Sequence, residues 1–496
     1  MKNILIIILA SLTIFQFTSC LDEFPYENTG ELQFSTDTLT LDTVFTSVGS
    51  ATRSFKVING STNPIEIDRV RLAGGQNSNF RLNIDGVPTK TSIEKVRIPA
   101  EDSIYIFVEV TVDPNDLNNP YIITDEVQFE FKGQEQRVVL EAWGQNANYV
   151  GSKGGLGELI CTGGGVVWDA TKPYVVYGVL FVNDCKLTIE AGAQIYVHGA
   201  LIDADSFYYN DGIIFATETG SIEINGTKDN PVVIQGDRLE PGFDETPGQW
   251  AGIFLGAMST GNKFTHVEIK NAIVGVRVDS LADLTLKNSI IHNTLSSNLL
   301  AYHASSVIAE NCLFYSSSGG NNVQLEYGGG EYDFRHCTMA SFSSVSQISH
   351  GSPVLRMGNF ICLDDELGCP NYAINTMNAN FQNCIIYGSR PTEISISERE
   401  EGFFNYTMEN CLIKVDSIED FNVPILNNCV DCLVNEDPLF QNIYQLNYQL
   451  DTLSPAEELG KGSLISRFTG SFIDFDLIKN QRNTADPDAG CYEYQY

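Results

Sequence analysis

The sequence has 496 residues, too many for one ordinary hydrophobic core, so two or more domains are expected. Its 63 acidic residues outnumber its 29 basic ones, and the net charge of −34 argues against nucleic acid or an anionic lipid surface as a partner. Hydrophobic residues make up 43% of the chain, which excludes a disordered protein.

The first twenty residues predict a secretory signal. Lys2 supplies a positive charge, an apolar run extends from Ile4 to Phe15, and small residues precede Cys20. The apolar run is too short for a transmembrane helix. We therefore expect residues 1–20 to be absent from the mature protein.

The end of this signal, FTSC (17–20), resembles a bacterial lipobox in which Phe17 replaces the usual Leu. The resemblance implies that Cys20 is lipidated and becomes the mature N-terminus, with residues 21–30 as a tether. Asp22 and Glu23 resemble the acidic export signal of surface lipoproteins in Bacteroidetes-type bacteria. The expected localisation is the outer membrane, exposed at the cell surface; a plain secreted protein is the alternative.

Residues 31–145 predict a β-sandwich. Strand-like runs alternate with turn residues and show no helical period. These runs cover residues 39–60, 64–74, 80–86, 96–114, 125–133 and 136–145. Their order resembles an immunoglobulin-like domain that follows the anchor in bacterial surface lipoproteins, which implies a spacer or binding module.

A Gly-rich boundary at 146–165 leads into a region where one short phrase returns, as in FTHVEIKN (264–271) and FQNCIIYG (381–388). The steps between phrases are 22, 23, 25, 23, 24 and 27 residues when they are aligned on His266, Asn288, Asn311, His336, Asn359, Asn383 and Asn410. A period in the low twenties predicts a solenoid, and the alternation within each phrase predicts a short strand. We interpret the Asn or His column as a turn ladder, including His266 and His336.

This pattern resembles a right-handed parallel β-helix. The phrases at 186–192 and 248–253 resemble the N-terminal end of bacterial β-helix proteins, and those at 437–440, 447–460 and 486–496 resemble the closing segment of pectin-lyase-like proteins. The expected fold class is therefore all-β, with an N-terminal β-sandwich followed by a right-handed parallel β-helix. The β-helix is expected over 146–436 and its closing segment over 437–496.

The cysteines divide into two predicted groups. One rung of a β-helix, about 4.8 Å, is shorter than most disulfides accept between Cα atoms, so a column on successive rungs predicts free core thiols. That column is Cys312, Cys337, Cys384 and Cys411. Two loop pairs are candidate disulfides in an oxidising compartment, namely Cys362 with Cys369 and Cys429 with Cys432. A zinc site at Cys429 and Cys432 is not expected, because the histidines that could complete it are scattered along the sequence.

Catalysis on a β-helix would need carboxylates that converge with one another, or with Ca²⁺ and a basic residue. No such set aligns in the repeats. The acidic loop formed by Asp364, Asp365 and Glu366 is a candidate calcium site, with a solvated hairpin tip as the alternative. Apart from this calcium, no cofactor is expected.

Aromatic residues in or beside loops are candidate sugar platforms, with packing under loops as the alternative. They are Tyr208, Tyr209, Trp250, Tyr302, Tyr327 and Tyr332. The expected function is that of a non-catalytic surface lipoprotein that binds a glycan or a protein partner. A polysaccharide lyase or glycoside hydrolase of the pectin-lyase-like superfamily is the alternative.

Overall fold

The structure is a computed structural model that describes residues 32–45, 52–112, 121–161, 163–203, 208–239, 242–343, 350–364, 368–400, 402–415 and 425–495. It divides into two compact units, Met1–Asn146 and Ala147–Tyr496. Within those ranges, no helix has the length and apolar character needed to cross a membrane. The signal, Cys20 and the tether lie outside the described residues.

Ten strands build the first unit: β1 (Gln33–Phe34), β2 (Thr38–Phe45), β3 (Arg53–Ile58), β4 (Ile65–Leu72), β5 (Phe80–Ile84), β6 (Val87–Thr89), β7 (Ser92–Ile98), β8 (Ser103–Val110), β9 (Tyr121–Phe131) and β10 (Gln134–Gln145). They form two five-stranded sheets, ordered β1-β3-β8-β5-β6 and β2-β10-β9-β4-β7. A short 3-10 helix spans Gly75–Asn77.

The apolar core of this unit follows from strict alternation along its strands. In β8, Ile104, Ile106 and Val108 are buried while Tyr105 and Phe107 between them face outward. Phe55 from one sheet meets Phe129 from the other, with ring centroids 6.2 Å apart. The unit is a β-sandwich, as predicted.

The second unit contains the remaining strands: β11 (Asn148–Glu158), β12 (Gly165–Trp168), β13 (Tyr174–Val182), β14 (Lys186–Glu190), β15 (Gln194–His198), β16 (Leu201–Asp203), β17 (Tyr208–Asn210), β18 (Ile213–Ala216), β19 (Ser221–Asn225), β20 (Val232–Gly236), β21 (Gly252–Leu255), β22 (Lys263–Thr265), β23 (Val267–Lys270), β24 (Val276–Val278), β25 (Asp283–Lys287), β26 (Ile290–Thr294), β27 (Leu299–Tyr302), β28 (Ser306–Glu310), β29 (Leu313–Ser317), β30 (Val323–Glu326), β31 (Glu331–Arg335), β32 (Thr338–Ser341), β33 (Leu355–Gly358), β34 (Phe360–Cys362), β35 (Tyr372–Ile374), β36 (Met377–Gln382), β37 (Ile385–Gly388), β38 (Ile394–Ser397), β39 (Phe404–Glu409), β40 (Leu412–Ile413), β41 (Cys429–Val430), β42 (Leu433–Val434), β43 (Phe440–Asn442) and β44 (Asn447–Leu450). Two 3-10 helices span Ile425–Asn428 and Ile443–Gln445.

Parallel pairing organises most of these strands into three faces of a β-helix. Face A is the series β13, β18, β21, β24, β27, β30, β33 and β38. Face B is the series β13, β15, β20, β23, β26, β29, β32, β37, β40 and β42. Face C is the series β12, β14, β19, β22, β25, β28, β31, β36, β39 and β41. Together with the sandwich, these faces confirm the predicted all-β fold class.

β13 contributes to two faces because it bends at Gly178. The backbone there has φ +66°, and a Cβ atom would lie 2.3 Å from the carbonyl oxygen of Gly155. Only glycine fits such a position without displacing the neighbouring strand. The first half of β13 therefore starts face B and the second half starts face A.

The predicted turn ladder is present at the corner between faces C and B. The six residues that form it all have φ between 47° and 53°: His266, Asn288, Asn311, His336, Asn383 and Asn410. Nδ2 of Asn288 lies 3.1 Å from Nε2 of His266, and Nδ2 of Asn311 lies 3.1 Å from Oδ1 of Asn288. Asn and His tolerate the left-handed conformation, and their side chains satisfy polar groups that the turn leaves exposed.

Asn359 was wrongly aligned with this ladder. It follows β33, which belongs to face A, and the ladder passes directly from His336 to Asn383 through the pairing of β31 with β36. The Asn359 side chain instead accepts from the amide of Arg399 at 2.9 Å and donates to its carbonyl at 2.8 Å. The buried Asn359 side chain therefore holds the backbone of the adjacent loop in place.

The predicted cysteine column lies inside the β-helix. Cys312, Cys337, Cys384 and Cys411 are free and buried, and their thiols approach backbone carbonyls at the corner. Burial raises the pKa of Cys337 and Cys411 well above the usual thiol range, so both stay protonated.

Two disulfides are present in the described residues. Cys362 is joined to Cys369, and Cys161 is joined to Cys185 with a Cα–Cα distance of 5.7 Å. The bond between Cys161 and Cys185 was not predicted, and it joins the segment after β11 to the start of β14.

Cys429 and Cys432 are free thiols, so the structure lacks the disulfide that was a candidate between them. Asp431, with φ 53°, turns the chain at the corner, and Cys432 takes the place of Cys411 on the next rung. Its thiol donates to the carbonyl of Met408 at 3.4 Å. Cys432 is thus a fifth member of the core column.

The closing segment packs on the outer surface of face B. Tyr448, Leu477 and Cys491 form a buried cluster with Leu313 and Tyr315 of that face. Arg482 is buried and pairs with Glu493 at 3.0 Å. The closing segment therefore covers the later rungs of face B.

Candidate functional site

One row of outward side chains on face A combines aromatic and cationic groups. We call it the face A stripe: Phe181, Phe215, Phe254, Arg277, Leu300, Gln324 and Arg356. Each residue pairs in register with the next, so the row advances one rung at a time. Six steps of about 4.8 Å give a row of about 29 Å.

Alternation in the strands explains why these side chains face outward. Each stripe residue lies between two buried apolar residues, as Phe181 does between Leu180 and Val182. Phe215 and Phe254 follow the same rule. The rings of Phe181 and Phe215 lie 5.6 Å apart, and those of Phe215 and Phe254 lie 6.5 Å apart.

Charged groups continue the row beyond the phenylalanines. The guanidinium of Arg277 lies 5.6 Å from the ring of Phe254, and its Nε is 2.7 Å from Asp279. Further along, Glu326 pairs with Arg356 and accepts a hydrogen bond of 3.0 Å from Gln324. The stripe therefore presents hydrogen-bonding groups on a rigid sheet, with the carboxylates held by neighbouring arginines.

A cavity of about 440 Å³ opens at the N-terminal end of the stripe. Phe181 forms one wall, and Leu156, Glu158, Asn183 and Thr217 contribute to the others. Leu156 is 72% exposed. The row of rings thus runs from this cavity toward the ion pairs.

Two of the predicted aromatic residues lie beside the stripe. Tyr302 pairs in register with Glu326, and its ring lies 5.6 Å from that of Tyr327. Both are half-buried. Burial raises the pKa of Tyr302 above its usual value, so its hydroxyl remains a hydrogen-bond donor and acceptor at neutral pH.

Two other predicted aromatics are core residues, which corrects their assignment as sugar platforms. Trp250 is fully buried, and its Nε1 donates to the carbonyl of Lys270 at 2.9 Å. Tyr332 is also fully buried, and its hydroxyl donates to the carbonyl of Gly328 at 2.9 Å. Each polar group is satisfied within the protein, so neither ring can reach a ligand.

The remaining predicted sites belong to hairpins outside the face A strands. Tyr208 and Tyr209 belong to the hairpin of β16 and β17, and Tyr209 is 36% exposed. Asp364 accepts a hydrogen bond from Asn371, whereas Asp365 and Glu366 lie outside the described residues. Within the described ranges, no group of three or more His, Cys, Asp or Glu residues is arranged to hold a metal ion. The calcium site stays a prediction.

Two histidine–carboxylate pairs on face B were missed in the sequence. Nδ1 of His198 lies 2.7 Å from Asp237, and Nε2 of His292 lies 3.0 Å from Glu268. The hydrogen bond with His292 lowers the pKa of Glu268 below its usual value. The partners of each pair are 39 and 24 residues apart, so only the fold brings them together.

The stripe phenylalanines had a weak signal in the sequence. Each sits in a short apolar run, LFV, IFA or IFL, but the runs are separated by 34 and 39 residues. Insertions on the early rungs, including β16 and β17, stretch these steps beyond the regular period.

Comparison with protein families gives one match, in which residues 160–279 resemble a pectate-lyase-like β-helix domain. No curated protein matches the chain. The family match supports the predicted relationship to the β-helix superfamily over those residues.

Comparison with solved structures gives remote likenesses. The catalytic unit of a thermostable GH87 α-1,3-glucanase from Streptomyces thermodiastaticus strain HF3-3 is 10% identical, with a TM-score of 0.21 over 72% of this chain and 79% of that one. A GH87 α-1,3-glucanase catalytic domain in complex with tetrasaccharides is 12% identical, with a TM-score of 0.23 over 74% and 82%. A family 123 glycoside hydrolase from Clostridium perfringens is 7% identical, with a TM-score of 0.17, and the match spans 23% of this chain and 26% of that one.

Proposed function

We propose that the β-helix binds an extended glycan along the face A stripe without transforming it. The observation that carries the proposal is the row Phe181, Phe215 and Phe254 on consecutive rungs, continued by the ion pairs of Arg277 and Arg356. Aromatic faces stack on the apolar face of a sugar ring, while guanidinium, amide and carboxylate groups hydrogen-bond to its hydroxyls. The flat row of about 29 Å suits a chain of several sugars rather than a single small molecule.

The carboxylates of this face favour binding over hydrolysis. A hydrolase needs one protonated and one ionised carboxyl group across the scissile bond. Asp279 and Glu326 lie two rungs apart, about 10 Å, and an arginine neighbours each of them. Each of these carboxylates accepts a hydrogen bond from its own arginine, and their separation exceeds the roughly 5–9.5 Å that glycosidases use.

The experiment is affinity electrophoresis of the full chain in gels that contain neutral polysaccharides. Phe215→Ala combined with Phe254→Ala should weaken binding of a retarding glycan at least tenfold, since each lost ring contact contributes about 1 kcal/mol. Tyr444→Ala is the matched control, because this ring is 71% exposed but lies in the closing segment. Equal retardation of the double variant and the wild type would refute the stripe as the binding face.

The second candidate function is a polysaccharide lyase or hydrolase, and the accessible histidine–carboxylate pair of face B, His198 with Asp237, favours it. His198 is one-third exposed and is oriented by Asp237, which is an arrangement able to move a proton. Release of unsaturated or reducing ends, with and without Ca²⁺, would reveal such an activity. Its loss in His198→Gln would assign the reaction to face B, whereas an inactive wild type leaves the binding proposal in place.

For localisation, the proposal is a lipid anchor at Cys20 that holds the protein on the outer membrane, exposed to the outside. The support is the sequence of residues 1–23 alone. Cys20→Ala should move the protein from the membrane fraction to the soluble fraction. Protease treatment of intact cells distinguishes an exposed protein from one that faces the periplasm.

A further inference from the structure

We infer that the N-terminal β-sandwich carries a separate binding site for an acidic saccharide. The site is a cleft of about 540 Å³ on the outer surface of the β1-β3-β8-β5-β6 sheet. Arg81 and Asn83 of β5, Lys90 after β6, and Phe107 and Glu109 of β8 line it. We call it the sandwich cleft. It lies in the first unit, so it is distinct from the face A stripe.

The cleft holds two cations and one carboxylate. Among the residues that the structure describes, neither Arg81 nor Lys90 is in an ion pair, and Glu109 lies opposite Arg81 in the register of β5 and β8. The opposite sheet of the same unit shows the contrast, because its arginines are paired with glutamates: Arg69 with Glu130, Arg71 with Glu135, Arg97 with Glu66 and Arg137 with Glu126. In a chain of net charge −34, a cleft in which two cations outnumber one carboxylate favours an anionic ligand.

One aromatic ring, Phe107, lines the cleft, and Tyr105 stacks beside it. Tyr105 and Phe107 are 43% and 38% exposed, and their rings stack with centroids 5.9 Å apart. Nζ of Lys56 lies 4.9 Å from the centre of the Tyr105 ring. Neighbouring exposed rings on a rigid strand offer a platform for the flat face of a sugar.

The ring and the cations together indicate a saccharide that bears carboxylate or sulfate groups. The exposed face of Phe107 offers a surface on which a sugar ring stacks, and Arg81 and Lys90 attract the anionic groups of the same ligand.

The test uses the full chain in affinity electrophoresis with four probes: polygalacturonate, heparin, neutral dextran and poly-glutamate. We expect retardation by at least one acidic polysaccharide, and a loss of at least tenfold in Arg81→Gln combined with Lys90→Gln. The carboxylated and sulfated probes tell which anionic group is preferred. Arg97→Gln is the matched control, because this arginine lies on the opposite sheet.

Two further variants separate this site from its alternatives. Phe107→Ala should weaken the binding of the acidic polysaccharide, while Phe215→Ala combined with Phe254→Ala should leave it unchanged. Binding of poly-glutamate as tight as that of the polysaccharide would overturn the assignment in favour of an acidic peptide. Absence of binding to both acidic polysaccharides, or equal binding by the Arg81 and Lys90 double variant, would also overturn it. The substituted side chains are at the surface, and circular dichroism verifies that each variant is folded.

Discussion

Replacing Asn311 by alanine tests how far the turn ladder holds the β-helix together. Asn311 is buried, has φ 51°, and makes three side-chain hydrogen bonds. Its Nδ2 donates to Asn288 at 3.1 Å and to the carbonyl of Phe475 at 2.8 Å, and its Oδ1 accepts from Arg482 at 2.9 Å. The residue thus links one rung to the next and also to the closing segment.

The expected cost follows from these contacts. The two neutral hydrogen bonds contribute about 1 kcal/mol each, and the bond from the charged guanidinium contributes about 2 kcal/mol. Alanine in the left-handed conformation adds about 1 kcal/mol of strain. Asn311→Ala should therefore lower the free energy of unfolding by about 5 kcal/mol, and Asn311→Gly, which tolerates the conformation, by about 4 kcal/mol.

Equilibrium urea denaturation followed by circular dichroism measures these differences. Asn405→Ala is the matched control, because within the described ranges the one partner of its exposed amide is Asn378 at 3.1 Å, and its loss should cost less than about 0.5 kcal/mol. If Asn311→Ala were as stable as Asn405→Ala, the ladder would not be a source of stability. Equal costs for the alanine and glycine variants would instead remove the strain contribution.

Three other outcomes are expected. Burial, with the nearby lysines, lowers the pKa of His266 from 6.5 to about 4. As the pH falls from 6.5 to 4, this histidine is protonated in the unfolded chain before it is protonated in the folded one, so the free energy of unfolding decreases across that window. His266→Asn places at this position the amide that most of the ladder carries, and it should remove the pH-dependent loss of unfolding free energy. That loss is on the order of 2 kcal/mol after allowance for solvent screening, and denaturation curves taken at several pH values measure it. Replacing both Cys161 and Cys185 by alanine should cost about 3 kcal/mol for a sequence separation of 24, and reductant should then lower the melting temperature less than in the wild type, because only Cys362–Cys369 is left of the two described disulfides. Trp250→Ala should cost about 3–5 kcal/mol while leaving glycan affinity unchanged in the folded protein, because the ring is fully buried; a selective loss of affinity would restore it as a binding residue.

The architecture could be predicted because the repeat leaves a local trace on every rung. The corners need a left-handed backbone, which Asn and His tolerate. A sheet with one buried side needs apolar residues that alternate with polar ones. These requirements act over a few residues, so they are visible in one sequence. Asn359 shows the limit, because an asparagine can stabilise a turn at another corner by bonding to a loop.

The candidate sites could not be predicted in the same way. Trp250 and Tyr332 lie in aromatic-containing stretches that resemble exposed loops, yet their polar atoms are satisfied by carbonyls inside the protein. The stripe depends on register between strands separated by 23 to 39 residues, which insertions vary from rung to rung. The sandwich cleft depends on which cations lack a partner, and ion pairs across a sheet are fixed only by the fold.

The column of thiols inside the β-helix also makes each rung individually observable. Cys337, Cys384, Cys411 and Cys432 occupy equivalent positions on successive rungs, and of these only Cys432 is partly exposed. A thiol reagent can reach a buried member only when its own rung opens, so the alkylation rate at each cysteine reports the opening of that rung. Mass spectrometry after a timed pulse of alkylation would show whether the solenoid frays from Cys432 inward or opens as one cooperative unit.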